Sequence, residues 1–282
     1  MTRLAVIVLI GAAELASAKF AVDLRSIDGT RSILRLRGGL SFPTVPVASA
    51  ALALNGLNGA AIQLAPAKAT EVYCLPKRTP EAFYLAEQGG AATLSMVLSA
   101  SLTMAGVASM SAQAWAVLPL LMSNAKSIAG AFKLSSLPPL IGNMCFLLGM
   151  AGVFRGTSPA AVHKFFAIWC MLCGLVRYTL PEKGWLDTPV TNESTIAMAK
   201  FAGASLAAVG LQCAAIALGQ APARAFGIAN ILLAIRSLDA GFLTKYVRKL
   251  ARSLSPADER VHRDALVVGT AIHADTAALL TA

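Results

Sequence analysis

Few side chains in this sequence are of kinds that do chemistry, and most of those lie inside long apolar runs. Arg236 and Asp239 stand three residues apart, which puts them on one helical face, where they can pair. Ionisable groups at membrane depth are costly, so the two read either as a structural ion pair or as part of an ion or substrate path. Their closeness to the end of the run, where an arginine can snorkel to the interface, favours the structural pair. Asn143 and Asn230, with Asn124, are neutral polar groups in neighbouring apolar runs. Together with Arg236 and Asp239 they form a candidate intramembrane polar site.

His163 opens a further run that holds Cys170 and Cys173. An imidazole there is either a ligand for a haem or chlorophyll or a residue of the helix interface. Cys170-Met171-Leu172-Cys173 has the C-x-x-C spacing, but redox thiols need a polar helix N-terminus and access to a partner thiol. A structural zinc site would need a second ligand pair. Embedded in the apolar stretch 165–176, the two thiols read better as small buried residues. His262 and His273 stand beside Asp264 and Asp275, yet they are too far apart in sequence to form a recognisable ligand set.

No P-loop glycine run, H-E-x-x-H, G-x-S-x-G or Rossmann fingerprint occurs. The paired Glu-x-x-Asn/His-x-Arg pattern of light-harvesting proteins is missing as well. The sequence therefore assigns no catalytic residue, metal or cofactor.

The elements that must position these residues follow from composition. Of 282 residues 56% are hydrophobic and only 13% charged, about half the charged share of soluble domains. Such a chain has too few charges to cover a soluble globule of its size. Six runs, 91–109, 112–132, 134–154, 160–180, 196–218 and 224–243, are long and apolar enough to cross a bilayer, which takes roughly 20 residues of helix. A seventh, 49–65, is rich in Ala but carries Asn55, Asn58 and Gln63. The expectation is an all-α polytopic transmembrane bundle of six or seven spans. Pro138, Pro139 and Pro159 fall at helix starts, where a missing N–H costs nothing, whereas Pro119 falls inside a run and should kink it. Small residues recur at Ala199, Gly203 and Ala207 and at Gly210 and Ala214, a spacing that lets helices approach closely. Ser95, Ser99 and Thr103 repeat hydroxyls on another run, either for packing or as the lining of a polar path.

The net charge of +10 comes from 24 Lys and Arg against 14 Asp and Glu. Its basic residues flank apolar runs and are not interleaved with aromatics on one face, so no nucleic-acid partner is expected. Residues 1–18 have the three parts of a signal peptide: a basic start, a short apolar run and Ala16-Ser17-Ala18. Residues 19–48 are rich in Arg and poor in acids, as transit peptides are. The two together resemble the bipartite leaders of algae with secondary plastids, which implies a plastid membrane, although Lys19 precedes Phe20 where those leaders place Phe first. The other reading of 19–48 is a disordered extracytoplasmic arm, with the chain in an endomembrane or the plasma membrane.

The positive-inside rule selects between topologies. Seven spans after signal cleavage, or six after removal of a plastid leader near Ala48, both bring Lys68, Lys77 and Arg78, Lys126 and Lys133, Arg177, Lys183 and Lys200, and the basic tail 244–282 to the cytoplasmic or stromal face. The tail is also patterned as a helix able to lie on an anionic membrane surface. Asn192-Glu193-Ser194, a glycosylation sequon, would share that face and stay unmodified. The functional expectation is a non-catalytic membrane subunit or scaffold whose partners are the lipid bilayer and other membrane subunits. A small-solute transporter using polar groups at helix interfaces is the alternative.

Overall fold

The computed structural model describes residues 44–72, 79–131, 137–183 and 192–238, with residues 273, 274 and 277 of the C-terminal segment. All secondary structure among them is helical. We number the helices α1 (Thr44–Leu64), α2 (Pro66–Val72), α3 (Pro80–Met104), α4 (Ser109–Ala116), α5 (Leu118–Ile128), α6 (Leu137–Phe154), α7 (Pro159–Thr179), α8 (Glu193–Ala217) and α9 (Pro222–Leu238).

Local sequence accounts for the ends. Thr79 caps α3 and Ser158 caps α7, each followed by a proline in the first turn, which has no N–H to leave unsatisfied. Asn192 and Thr195 form a reciprocal capping box at the start of α8, with Thr195 N donating to Asn192 Oδ1 over 3.0 Å. The asparagine of the sequon is thus a helix cap. Gly156 and Gly219 take positive φ just beyond α6 and α8, and bonds such as Gln220 N to Ala215 O close those turns tightly enough to make helical hairpins.

Pro119 does more than kink its helix. It cannot donate to the carbonyl of Trp115 and its ring crowds that oxygen, so the expected run 112–132 divides at Val117 into α4 and α5. The other expected spans are displaced as well. Helix α3 starts eleven residues before the expected 91, because its Thr79-Pro80 start lies in polar sequence that a hydropathy reading passes over. The marginal run 49–65 forms most of α1, packed along α3.

Close contacts fix the helix directions. Gly59 meets Gly90 and Gly56 meets Val97, so α1 and α3 run antiparallel; Gln212 meets Met96 and Phe201 meets Gly89, so α3 and α8 run parallel. The chain therefore goes up and down through α1, α3, α4–α5, α6, α7, α8 and α9. Helices α3 and α8 form the centre, with α1 and α5 against α3, α7 against α8, and α9 against both. Small residues make the tightest seam possible, as their spacing implied. A methyl group on Gly174 would lie 2.4 Å from Ala207 N, and one on Gly203 would lie 2.7 Å from Gly174 O.

Among the described residues two helices are long and apolar enough to cross a membrane by length and composition, Pro159–Thr179 and Glu193–Ala217, and the apolar part of α6, Pro139–Phe154, falls short in length. On this criterion the all-helical architecture stands, and the described helices do not by themselves establish six or seven such spans. Gln, Asn, Ser and Gly dilute α1 and α3, the proline break shortens α4 and α5, and α9 is described over only 17 residues.

Candidate functional site

Because α3 is covered on several sides, its polar residues are buried and must find partners from neighbouring helices. Glu87 is only 1% exposed, and Lys126 of α5 places its ammonium 3.0 Å from the carboxylate. That approach is short but poorly angled, so a charge pair describes it better than a directed hydrogen bond. Next to it, Gln88 Nε2 donates to Asn124 Oδ1 over 2.6 Å and to Ser123 Oγ over 3.1 Å. One turn along α5, Ser127 is buried and its hydroxyl has no hydrogen-bond partner.

The same pattern recurs along the bundle. Ser99 Oγ donates to Gln113 Oε1 over 2.9 Å, joining α3 to α4. Gln212 Nε2 reaches from α8 to Met96 O on α3, and Gln63 Nε2 reaches from α1 to Pro119 O beside the helix break. Each bond joins two different helices. At the end of the bundle near Glu87, a cleft of about 600 Å³ opens among Leu64, Pro66, Lys68, Pro80, Phe83 and Ala131. Phe83 lies one turn before Glu87 on α3.

The residues singled out in the sequence do not converge. Asn143 Nδ2 donates weakly to Leu121 O at 3.4 Å, and its neighbour Gly142 packs on the side chain of Asn124. Asn230 lies elsewhere, on α9, fully buried, with Nδ2 on Phe226 O and Oδ1 2.8 Å from Nδ1 of His273. Arg236 stacks over the ring of Phe201 at 4.9 Å. Asp239, its expected partner, falls outside the described residues, as do the leader 1–18 and His262. Burial, reinforced by the positive Arg236 nearby, pushes His273 down to about 4, so it is neutral at physiological pH.

His163 is buried, and neither ring nitrogen has a hydrogen-bond partner. Cys170 and Cys173 sit with Cys213 in the apolar core, and no disulfide links them. Among the described residues no group of three or more His, Cys, Asp or Glu is placed to hold a metal ion.

Sequence reasoning missed Glu87, Gln88 and Lys126 as a set. The usable signal was Thr79-Pro80-Glu81, a helix start that places Glu87 two turns inside α3. The expected run begins only at 91, after Glu87-Gln88-Gly89-Gly90, because hydropathy rises only past them. The chain matches no protein-family model, no curated protein and no solved structure.

Proposed function

We propose that the chain is a multi-span helical membrane protein that acts as a non-catalytic membrane subunit or scaffold. The observation that carries this reading is the distribution of side chains. Large apolar residues face outward on α6 (Leu140, Met144, Leu147, Leu148), on α7 (Phe165, Ile168, Leu172, Leu175) and on α9 (Ile231, Ile235), while amides and hydroxyls point inward. Exposed apolar surface on that scale marks a membrane or partner contact. The inward polar groups bond mainly from helix to helix, the use that polar groups commonly have in lipid.

Charge placement supports the orientation. The alternating helix directions bring Lys68, Lys126, Arg177, Lys200 and Arg236 toward one end of the bundle, and Arg155, Lys164 and Arg224 toward the other. On the positive-inside rule the first end is cytoplasmic or stromal, with the basic tail. In this reading all six or seven long helical passes cross, the less apolar ones shielded by α6, α7 and α9. The leader delivers the chain through the secretory route to a plastid membrane or to the endomembrane system and plasma membrane.

The test is alkaline carbonate extraction followed by native electrophoresis in mild detergent. The chain should stay in the membrane pellet and then migrate in a particle larger than itself. Release by carbonate would overturn the membrane reading, and migration as a lone chain would overturn the subunit reading. Small-solute transport is the second reading, favoured by the buried Glu87–Lys126 pair, one helical turn along α3 from Phe83, which lines an open cleft. It predicts solute-dependent flux in proteoliposomes that Glu87→Gln abolishes.

A further inference from the structure

We propose that Glu87 is an exchange site for a small monovalent cation of the sodium class, with the ammonium of Lys126 occupying the site when the ion is absent. A buried carboxylate must be neutralised, and here the neutralising charge sits on a long side chain that is itself 43% exposed. That side chain can swing its ammonium into water at little cost, whereas Glu87, held in the middle of α3, cannot follow. The carboxylate is therefore fixed and its counter-charge is replaceable.

The surroundings suit a hard cation. Ser123, Asn124 and Ser127 lie on the buried face of α5 toward α3 and offer two hydroxyl oxygens and an amide oxygen. Ser123 Oγ and Asn124 Oδ1 both accept from Gln88, the residue next to Glu87, and each oxygen keeps a lone pair. The Ser127 hydroxyl, one turn beyond Ser123 on α5, is buried and unpartnered. Oxygen-only donors select alkali and alkaline-earth ions over softer metals. One carboxylate balances a single positive charge, and the expelled ammonium remains nearby, so a divalent ion would be left uncompensated. Exposure of Lys126 gives the route to solvent. Nothing here depends on whether the protein acts as a scaffold or a transporter.

The experiment is thermal unfolding of the purified full chain in detergent, with sodium chloride replaced by choline chloride at constant ionic strength. It uses the wild type, Lys126→Met, Glu87→Gln and Ser127→Ala. Sodium should raise the midpoint saturably in the wild type. In Lys126→Met, which removes the competing ammonium, the same rise should need about tenfold less sodium. Glu87→Gln should show no sodium-specific rise, and Ser127→Ala should need more sodium than the wild type. Equilibrium binding of radioactive sodium to the wild type, competed by unlabelled sodium, keeps the test decisive where a variant fails to fold. A sodium response equal to that of choline, or one that survives in Glu87→Gln, would overturn the proposal while leaving the membrane reading intact.

Discussion

Replacing Gly174 or Gly203 with alanine tests the packing of α7 on α8 most sharply. An added methyl on Gly174 would lie 2.4 Å from Ala207 N and 2.6 Å from Gly203 O, both backbone atoms that cannot turn aside. Ordinary contacts begin near 3.4 Å, so the helices must separate by about 1 Å at their closest approach, and the surrounding seam loses dispersion contacts with it. Overpacking of this kind costs typically 1–3 kcal/mol and occasionally more; with only backbone to yield, about 3 kcal/mol is expected. For a chain of this size that lowers the melting temperature by roughly 6–12 °C. Gly156→Ala is the control. Its methyl meets nothing within 4 Å, and the only penalty is the positive φ of 70°, about 1–2 kcal/mol. Melting curves of the detergent-solubilised chain, read by size-exclusion recovery after heating, compare the three. Shifts for Gly174→Ala and Gly203→Ala no larger than that for Gly156→Ala would refute a close α7–α8 seam.

Ser99→Ala should destabilise the chain by about 1–3 kcal/mol, because it leaves Gln113 Oε1 buried and unpaired. Adding Gln113→Leu should return much of that loss, and melting of the two single variants and the double variant checks the coupling. Asn192→Ala removes the side-chain half of the α8 capping box, the bond from Thr195 N to Asn192 Oδ1, and should cost about 1 kcal/mol, while glycan-sensitive electrophoresis of the wild type should show no modification there. For His273, held at about 4 when folded, the unfolded chain binds more protons near neutral pH. Its stabilising contribution is complete above about pH 6.5 and falls as pH drops toward 4, at no more than about 1.4 kcal/mol per unit. Melting scans across that window should show a decline that His273→Gln flattens.

Helix existence was legible where composition and punctuation agreed. Pro159, the proline pair in the first turn of α6, and the small-residue rows of α8 all told what the structure shows, because each acts through backbone geometry. Pro119 was recognised as a distortion, but the division at Val117 depends on Gln63 and the other neighbours that accommodate the break. Helix α3 was misplaced because hydropathy cannot see a buried polar turn: Glu87 and Gln88 look like loop residues until α5 supplies Lys126, Ser123 and Asn124. Partners 35 or more residues away leave no periodic trace in one sequence. Asn230 was singled out for its depth in an apolar run, yet its partner His273 was set aside, since a lone tail histidine carries no spacing signal.

Nitroxide labels on the outward face of α7 test the central claim most directly. With single labels at Ile168 and Leu172 in the reconstituted full chain, the relative accessibility to oxygen and to a water-soluble nickel chelate reports the surrounding medium. A membrane protein with the proposed inside-out distribution of side chains predicts high oxygen and low nickel accessibility at both positions. High nickel accessibility at both would place that face in water and contradict the account.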